Sequence, residues 1–384
     1  MKVLLVNHLL DAVTGGGTSE RTYQIGRFLT REGVDCTILA LDIGISAERR
    51  AGLGETKLIA LPCLNRRFFI PRVTPKALHR LVSEADVVHL SGHWTLLNIL
   101  VYRACRRLGK PYLFSPAGAL KPFGRSLLLK RLYNHVIGHR IAQAAAMGVA
   151  ITEDERGDFY AHGVSAERIV VIPNGIDPDQ YQVANSQHAV SEFRRDTGLG
   201  VEPFVLFLGR LSEIKGPDLL LEAFAEVAGR FPDFRLVFAG PDDGMRASLE
   251  AIASAHGLAE RVFFLGFVGG QKKAILLQAA HILAIPSRRE AMSIVVLEAG
   301  ACQCPALFTG ACGLADFAQA GAGIMVDANV KGLAGGLQCA LADSELLASS
   351  AGRLAKIVST EYLWSSQAKR LAGLCLRLTE EATR

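Results

Sequence analysis

The sequence predicts an α/β protein made of two successive doubly wound parallel sheets. Three observations carry this. Short apolar runs alternate with helical stretches; the alternation completes one cycle by Ile172 and restarts at Phe204; and between them lies Pro173-Asn174-Gly175-Ile176-Asp177-Pro178-Asp179. Strands buried on both faces read as continuous apolar runs, and parallel neighbours need a crossover, usually helical. The Pro, Gly, Asn and Asp of the intervening stretch are turn formers suited to a linker or hinge. The expected domains are 1–174 and 175–360, with an amphipathic C-terminal stretch, 361–384, returning to the first.

Taken in order, residues 2–8 form the first strand, and a loop follows with Gly15, Gly16 and Gly17. Thr18 or Ser19 is placed to cap a helix running to about Arg31, which Gly33 stops. Strands are then expected at 36–41, 58–61, 87–90, 111–115, 149–152 and 169–172. The second set falls at 204–208, 235–239, 262–265, 282–285 and 306–309, each separated from the next by a helical stretch. Open sheets of this kind bind ligands beyond the carboxyl ends of their strands, and two of them face to face make a cleft.

A chain of 384 residues has room for two cores, and with half its residues hydrophobic and only 21% charged it is no disordered polymer. Its eight cysteines are scattered, mostly in apolar contexts, and the opening apolar run is too short for a signal peptide. A reducing cytoplasm is the expected location. Cys302, Cys304 and Cys312 lack zinc-ligand spacing, so no metal is expected. The uncharged stretch 299–315 is interrupted by Gln303, Pro305 and glycines, which argues against a membrane span.

Charge is unevenly divided. Residues 1–174 hold 23 Lys and Arg against 14 Asp and Glu, a net of +9, and the remainder is net −4. Nucleic acid, a phospholipid surface or a phosphorylated substrate would each satisfy such a first half. Within it, Lys121, Arg125, Lys130, Arg131 and Arg140 are interleaved with Leu127, Leu128, Leu129, Leu132, Tyr133 and Val136. The segment 121–140 reads either as a basic amphipathic helix on anionic lipid or as a helix packed into the core with a basic outer face.

The most informative stretch is 285–301. A polar turn carries Glu290, and a helix begins after Met292 with Glu298 on its flank. The amides of Met292, Ser293 and Ile294 at such a terminus form an anion site, and carboxylates accept hydroxyl protons. A nucleotide sugar, with a diphosphate between two hydroxyl-rich sugars, has that layout; the alternative is a Glu favoured by the helix dipole and a second on a solvated flank. Glu298 has no other charge near it in sequence before Asp316, so it needs a partner. Arg210 and Lys215, between Gly209 and Gly216, open another helix where cations oppose the dipole unless an anion binds there or water solvates them. His89 and His93, with Trp94, close a first-half strand and are site candidates.

Together, Gly15 to Gly17, Pro173-Asn174-Gly175, Gly209-Arg210 with Lys215-Gly216, and Glu290 with Glu298 resemble glycosyltransferase family 4 over nearly the whole chain. The resemblance implies the GT-B architecture, two facing Rossmann-like domains with a cleft, and a metal-independent retaining transferase. By it, Arg210 and Lys215 neutralise the diphosphate, Glu290 contacts the transferred sugar and Glu298 holds the ribose. Met292, Ser293 and Ile294 complete the phosphate cradle with Gly16 and Gly17 from the first domain, and the loop containing Phe267 and Val268 borders the base. His89, Trp94 and Asn174 serve acceptor or hinge. A nucleotide sugar is the co-substrate and no cofactor is needed. The acceptor is a glycan or a lipid-linked glycan in polysaccharide assembly, with an anionic inner membrane face, but no nucleic acid, as a further partner. Two departures stand out: Ser115-Pro116-Ala117-Gly118 has alanine where family members have histidine, so that either His93 takes that role or the role is not needed for this substrate, and Ala301-Cys302-Gln303 ends in glutamine where glycine is usual. The nearest alternatives are a GT-B epimerase, a phosphorylase, or a non-catalytic glycan- or membrane-binding module.

Overall fold

The computed structural model describes residues 1–124 and 126–383. The chain forms two compact units, Met1–Asn174 with Trp364–Arg384, and Gly175–Leu363. The first unit contains β1 (Lys2–Val6), β2 (Asp35–Leu41), β3 (Lys57–Leu61), the short hairpin β4 (Cys63–Asn65) and β5 (Ile70–Pro71), then β6 (Val87–Ser91), β7 (Tyr112–Ser115), β8 (Met147–Ala150) and β9 (Ile169–Val171). Seven of these make a parallel sheet in the order β3-β2-β1-β6-β7-β8-β9.

Side chains alternate across the sheet. Leu4 and Val6 enter one core with Leu39, Leu90 and Phe114, and Val3 and Leu5 enter the other with Ile38 and Leu113. That is why the strand is an unbroken apolar run. Trp364, Leu371 and Leu374 of the last helix complete the second core. Burying each such side chain stabilises the fold by roughly 1.5 to 3 kcal/mol.

The second unit is a six-stranded parallel sheet of β10 (Phe204–Leu208), β11 (Arg235–Ala239), β12 (Val262–Gly266), β13 (Ile282–Ile285), β14 (Ala306–Thr309) and β15 (Ile324–Val326), in the order β12-β11-β10-β13-β14-β15. Strand order reverses between β1 and β6 in one sheet and between β10 and β13 in the other. These are the switch points beside which such folds bind ligands.

Two local expectations are corrected. The first helix is Gly16–Arg31 with Gly15 as its N-cap, so Thr18 and Ser19 lie inside it. The loop turns on Asp11 instead, whose carboxylate accepts the Val13 amide at 3.1 Å and whose carbonyl accepts Ser19 Oγ at 2.8 Å. The C-terminal stretch is two helices, Ser344–Glu361 and Trp364–Thr383, so the terminal one begins at Trp364. At the break the Ile176 amide donates to the Tyr362 carbonyl at 2.7 Å.

The segment 121–140 folds as the helix Leu127–Tyr133, a π-helical turn Asn134–Gly138 and the start of the helix His139–Gln143, while Arg125 lies outside the described residues. Among the described residues, no helix is long and apolar enough to cross a membrane. All eight cysteines are free thiols and six of them are buried.

Candidate functional site

At the second-unit switch point, the turns after β10 and β13 are stitched together. The Arg288 amide donates to the Ile214 carbonyl at 2.9 Å. Its guanidinium forks onto Asp218 at 2.8 and 2.6 Å, and burial, which pushes that carboxyl up, is outweighed by these bonds and the Arg288 charge, holding it below the usual range. Gly216 sits at φ +67, and a Cβ there would lie 2.3 Å from the Pro286 carbonyl oxygen. Only glycine lets the two turns approach so closely.

This contact delivers Lys215 to Glu290. Lys215 Nζ lies 2.7 Å from Glu290 Oε1, Ser287 Oγ donates to Oε2 at 3.0 Å, and the Glu290 amide donates to the Ala311 carbonyl at 3.0 Å. Both carboxylate oxygens are therefore oriented. Arg210 is more open, 43% exposed and 3.9 Å from Asp243. The lysine is thus not the bare cation the sequence suggested, since its charge is already shared with Glu290.

The helix after Glu290 is Ile294–Ala301. Glu298 on it is 4% exposed, and its Oε1 accepts from Lys273 Nζ at 2.6 Å and from the Tyr181 hydroxyl at 2.8 Å. The partner that its isolation in sequence demanded is there. Neither partner is marked by the sequence patterns above: Lys273 belongs to the Gly270–Ala279 helix and Tyr181 to the linker turn Pro178–Tyr181. The one available signal is Lys272-Lys273 in an otherwise uncharged helix.

The expectation of unpaired amides at Met292, Ser293 and Ile294 is corrected at Ser293. Ser293 N donates to the Cys312 carbonyl at 3.1 Å, so it is not an unpaired donor. Its hydroxyl is buried and unpartnered, directly before the open first turn that starts at Ile294. Met292 is buried beside it. Gly209 follows β10, and Phe267 and Val268 follow β12, with Phe267 51% exposed.

The remaining candidates belong to the first unit. Gly16, at φ +61, and Gly17 are the first residues of the Gly16–Arg31 helix, not a free loop. Arg21 on that helix is buried and donates to the Ile172 carbonyl at 2.7 Å, the Pro173 carbonyl at 2.8 Å and Asn174 Oδ1 at 3.1 Å. Asn174 therefore anchors the end of the first unit. His89 lies within β6, 1% exposed with neither ring nitrogen partnered, and burial together with Arg21 holds its pKa down to about 3. This is a core position.

His93 and Trp94 lie just past the end of β6 and converge on one amide. His93 Nε2 is 2.8 Å from Asn134 Oδ1 and Trp94 Nε1 donates to the same oxygen at 3.1 Å. Burial holds the His93 pKa to about 4, so the ring is neutral. Asn134 was not anticipated. Ala117, in the segment lacking the family histidine, adopts φ +52, and Glu155 secures that turn by accepting the Gly118 and Ile151 amides. Among the described residues, no group of three or more His, Cys, Asp or Glu is arranged to hold a metal ion.

Comparison with known proteins bears on this geometry. Residues 15–180 match the family model Glycosyltransferase Family 4, and residues 190–353 match Glycosyl transferases group 1. The D-inositol 3-phosphate glycosyltransferase of Geodermatophilus obscurus is 30% identical over 334 residues, covering 83% of this chain and 72% of its own. The alpha-D-kanosaminyltransferase of Streptomyces kanamyceticus is 29% identical over 62% of this chain and 61% of its own. Among solved structures, Anabaena HepE in complex with UDP and glucose superposes with a TM-score of 0.79 at 20% identity, covering 97% of this chain and 99% of that one. With both unit folds, the motif-bearing turns and these matches in agreement, the chain belongs to glycosyltransferase family 4 and has the GT-B fold.

Proposed function

We propose that this glycosyltransferase moves a sugar from a nucleotide-sugar donor to a glycan or lipid-linked acceptor, with retention of anomeric configuration and without a divalent metal. The observation that carries the reading is the Lys215–Glu290 pair at 2.7 Å at the switch point of the second-unit sheet, with Arg210 in the same post-β10 segment as Lys215. One carboxylate and two cations suit a sugar on one side and a diphosphate on the other. That Anabaena HepE is found with UDP and glucose supports a donor of this class.

In this reaction the bond from the anomeric carbon to phosphate oxygen breaks, the bond to the acceptor oxygen forms, and the acceptor proton passes to the leaving diphosphate on the same face. Negative charge grows on that diphosphate. Lys215, held by Glu290, and the first-turn amides from Ile294 onward are donors in place before the charge develops, Arg210 is a more open one, and one such donor is worth typically about 2.7 to 4 kcal/mol. Glu290 holds Lys215 in place and offers an acceptor to a sugar hydroxyl. Glu298, fixed by Lys273 and Tyr181, offers another to the ribose.

The test is a thermal-shift panel of nucleoside diphosphates and their sugars, followed by anomer assignment of the product by NMR with and without EDTA. A specific rise in melting temperature with one base, and activity surviving chelation, are expected. No shift with any nucleotide would refute the donor reading, and an inverted anomer would refute retention.

A further inference from the structure

The first unit carries an apolar stripe that its own core does not cover. Leu128 is 79% exposed, Leu129 61%, Leu132 57% and Val136 54%. Leu128, Leu132 and Val136 are spaced by four, so they stand one above another on the same helical face. Arg131 and Arg140 are exposed on either side of that line. Lys130 turns inward instead, its Nζ 4.5 Å from the Trp94 ring and donating to the Phe123 carbonyl at 2.6 Å.

The stretch of chain around it carries one sign of charge, although Asp158 from outside that stretch pairs with Lys121 at 2.7 Å. Residues 87–152 contain nine Lys and Arg and no Asp or Glu. A protein partner would have to match a stripe of bare aliphatic side chains and the exposed cations Arg131 and Arg140 at once. An anionic bilayer presents both, with acyl chains beneath and phosphate above.

We infer that residues 127–140 dock in the headgroup layer of an anionic membrane, with Leu128, Leu129, Leu132 and Val136 inserted and Arg131 and Arg140 at the phosphates. The docking segment reaches the candidate acceptor residues directly. Asn134, buried beneath the exposed stripe, holds both His93 and Trp94 past the end of β6. A lipid-borne acceptor would therefore meet the protein where its membrane contact is braced. This deepens the proposed reading by naming a lipid surface as the acceptor's carrier, and it rests on that reading only for the word acceptor.

The experiment is cosedimentation of the full chain with vesicles of phosphatidylcholine alone and of equal phosphatidylcholine and phosphatidylglycerol. Binding to the anionic vesicles only, weakening with salt, is expected. The Leu128→Glu/Leu132→Glu variant should lose it at least tenfold with an unchanged melting temperature, because both side chains are exposed. Arg131→Ala and Arg140→Ala should each weaken it about fivefold. Wild-type protein that stays in the supernatant, or a double variant that binds as well as wild type, overturns the inference. So does light scattering in which wild type is a dimer that ignores vesicles and the double variant a monomer, since a second copy then covers the stripe. No sugar donor enters the assay, so its failure leaves the transfer reading standing, and a failed nucleotide panel leaves this one.

Discussion

Lys273 Nζ lies 2.6 Å from Glu298 Oε1 across two helices, and the side chain it meets is buried. Removing one partner of a buried pair leaves the other charge uncompensated, at about 3 to 5 kcal/mol. The two ends are unequal here. Lys273 is 25% exposed and can turn to water, whereas Glu298 is 5% exposed and cannot. Lys273→Met is therefore expected to destabilise by about 3 kcal/mol in urea unfolding and Glu298→Gln by less. The double variant should lose less than the sum, with a coupling of at least about 1 kcal/mol. Additive losses would mean the pair is not a unit.

The contrast between Glu290 and Glu298 shows where sequence reading reaches its limit. Lys215 and Glu290 sit on turns that carry their own signatures, a Gly-Arg after a strand and a polar break before a helix. Doubly wound folding then brings those turns together at the switch point, so the fold class makes the pair legible. Glu298 could be identified as needing a partner, but Lys273 and Tyr181 could not, because helix-to-helix contact is set by packing angle and no local pattern encodes it. Boundaries failed for a similar reason. The helix starting at Gly16 was hidden by glycine's poor helix propensity, and β15 is an edge strand of three residues with Met325 46% exposed, too short to form an apolar run.

Arg210 and Lys215 should separate catalysis from stability. Arg210 is 43% exposed and its carboxylate neighbour is 3.9 Å away, so it does little for the fold. Arg210→Ala is expected to leave the melting temperature unchanged while lowering kcat/KM on the order of a hundredfold. Lys215→Ala also strands Glu290, which is 13% exposed, and should lower both activity and stability. Unaltered kinetics for Arg210→Ala would remove the diphosphate assignment.

Acid should weaken the first unit through its buried histidines. Burial, with Arg21, holds His89 to about 3, and burial holds His93 to about 4 and His8 to about 4. These folded-state values lie below the unfolded one of about 6.5, so as pH falls the unfolded chain takes up the protons first. Stability from this source is whole above about 6.5 and declines down to each folded value, at roughly 1.4 kcal/mol per pH unit per histidine. His89→Leu removes one of the three and also deletes two buried, unpartnered nitrogens. It should raise stability by about 1 kcal/mol at pH 7.5 and flatten the decline between pH 6.5 and 5. A slope equal to that of wild type would show that His89 does not titrate in this way.

Gln303 occupies a left-handed position, φ +55, at the end of the helix that carries Glu298. The Cys304 amide donates to the Ala299 carbonyl at 2.9 Å and the Gln303 amide to the Gly300 carbonyl at 3.1 Å. These are the two bonds of a Schellman cap, which places the left-handed residue one beyond the cap and favours glycine there. A side chain at such a backbone costs roughly 1 to 2 kcal/mol, while glycine gives back about half to one through the freedom of its unfolded state. Gln303 is exposed, so no packing is lost on its removal. Gln303→Gly is accordingly expected to stabilise the chain by about 0.5 to 1 kcal/mol without altering nucleotide binding, and Gln303→Val, branched at Cβ, to destabilise it by about 1 kcal/mol. Equal melting temperatures for the glycine and valine variants would show that the cap does not impose the left-handed conformation.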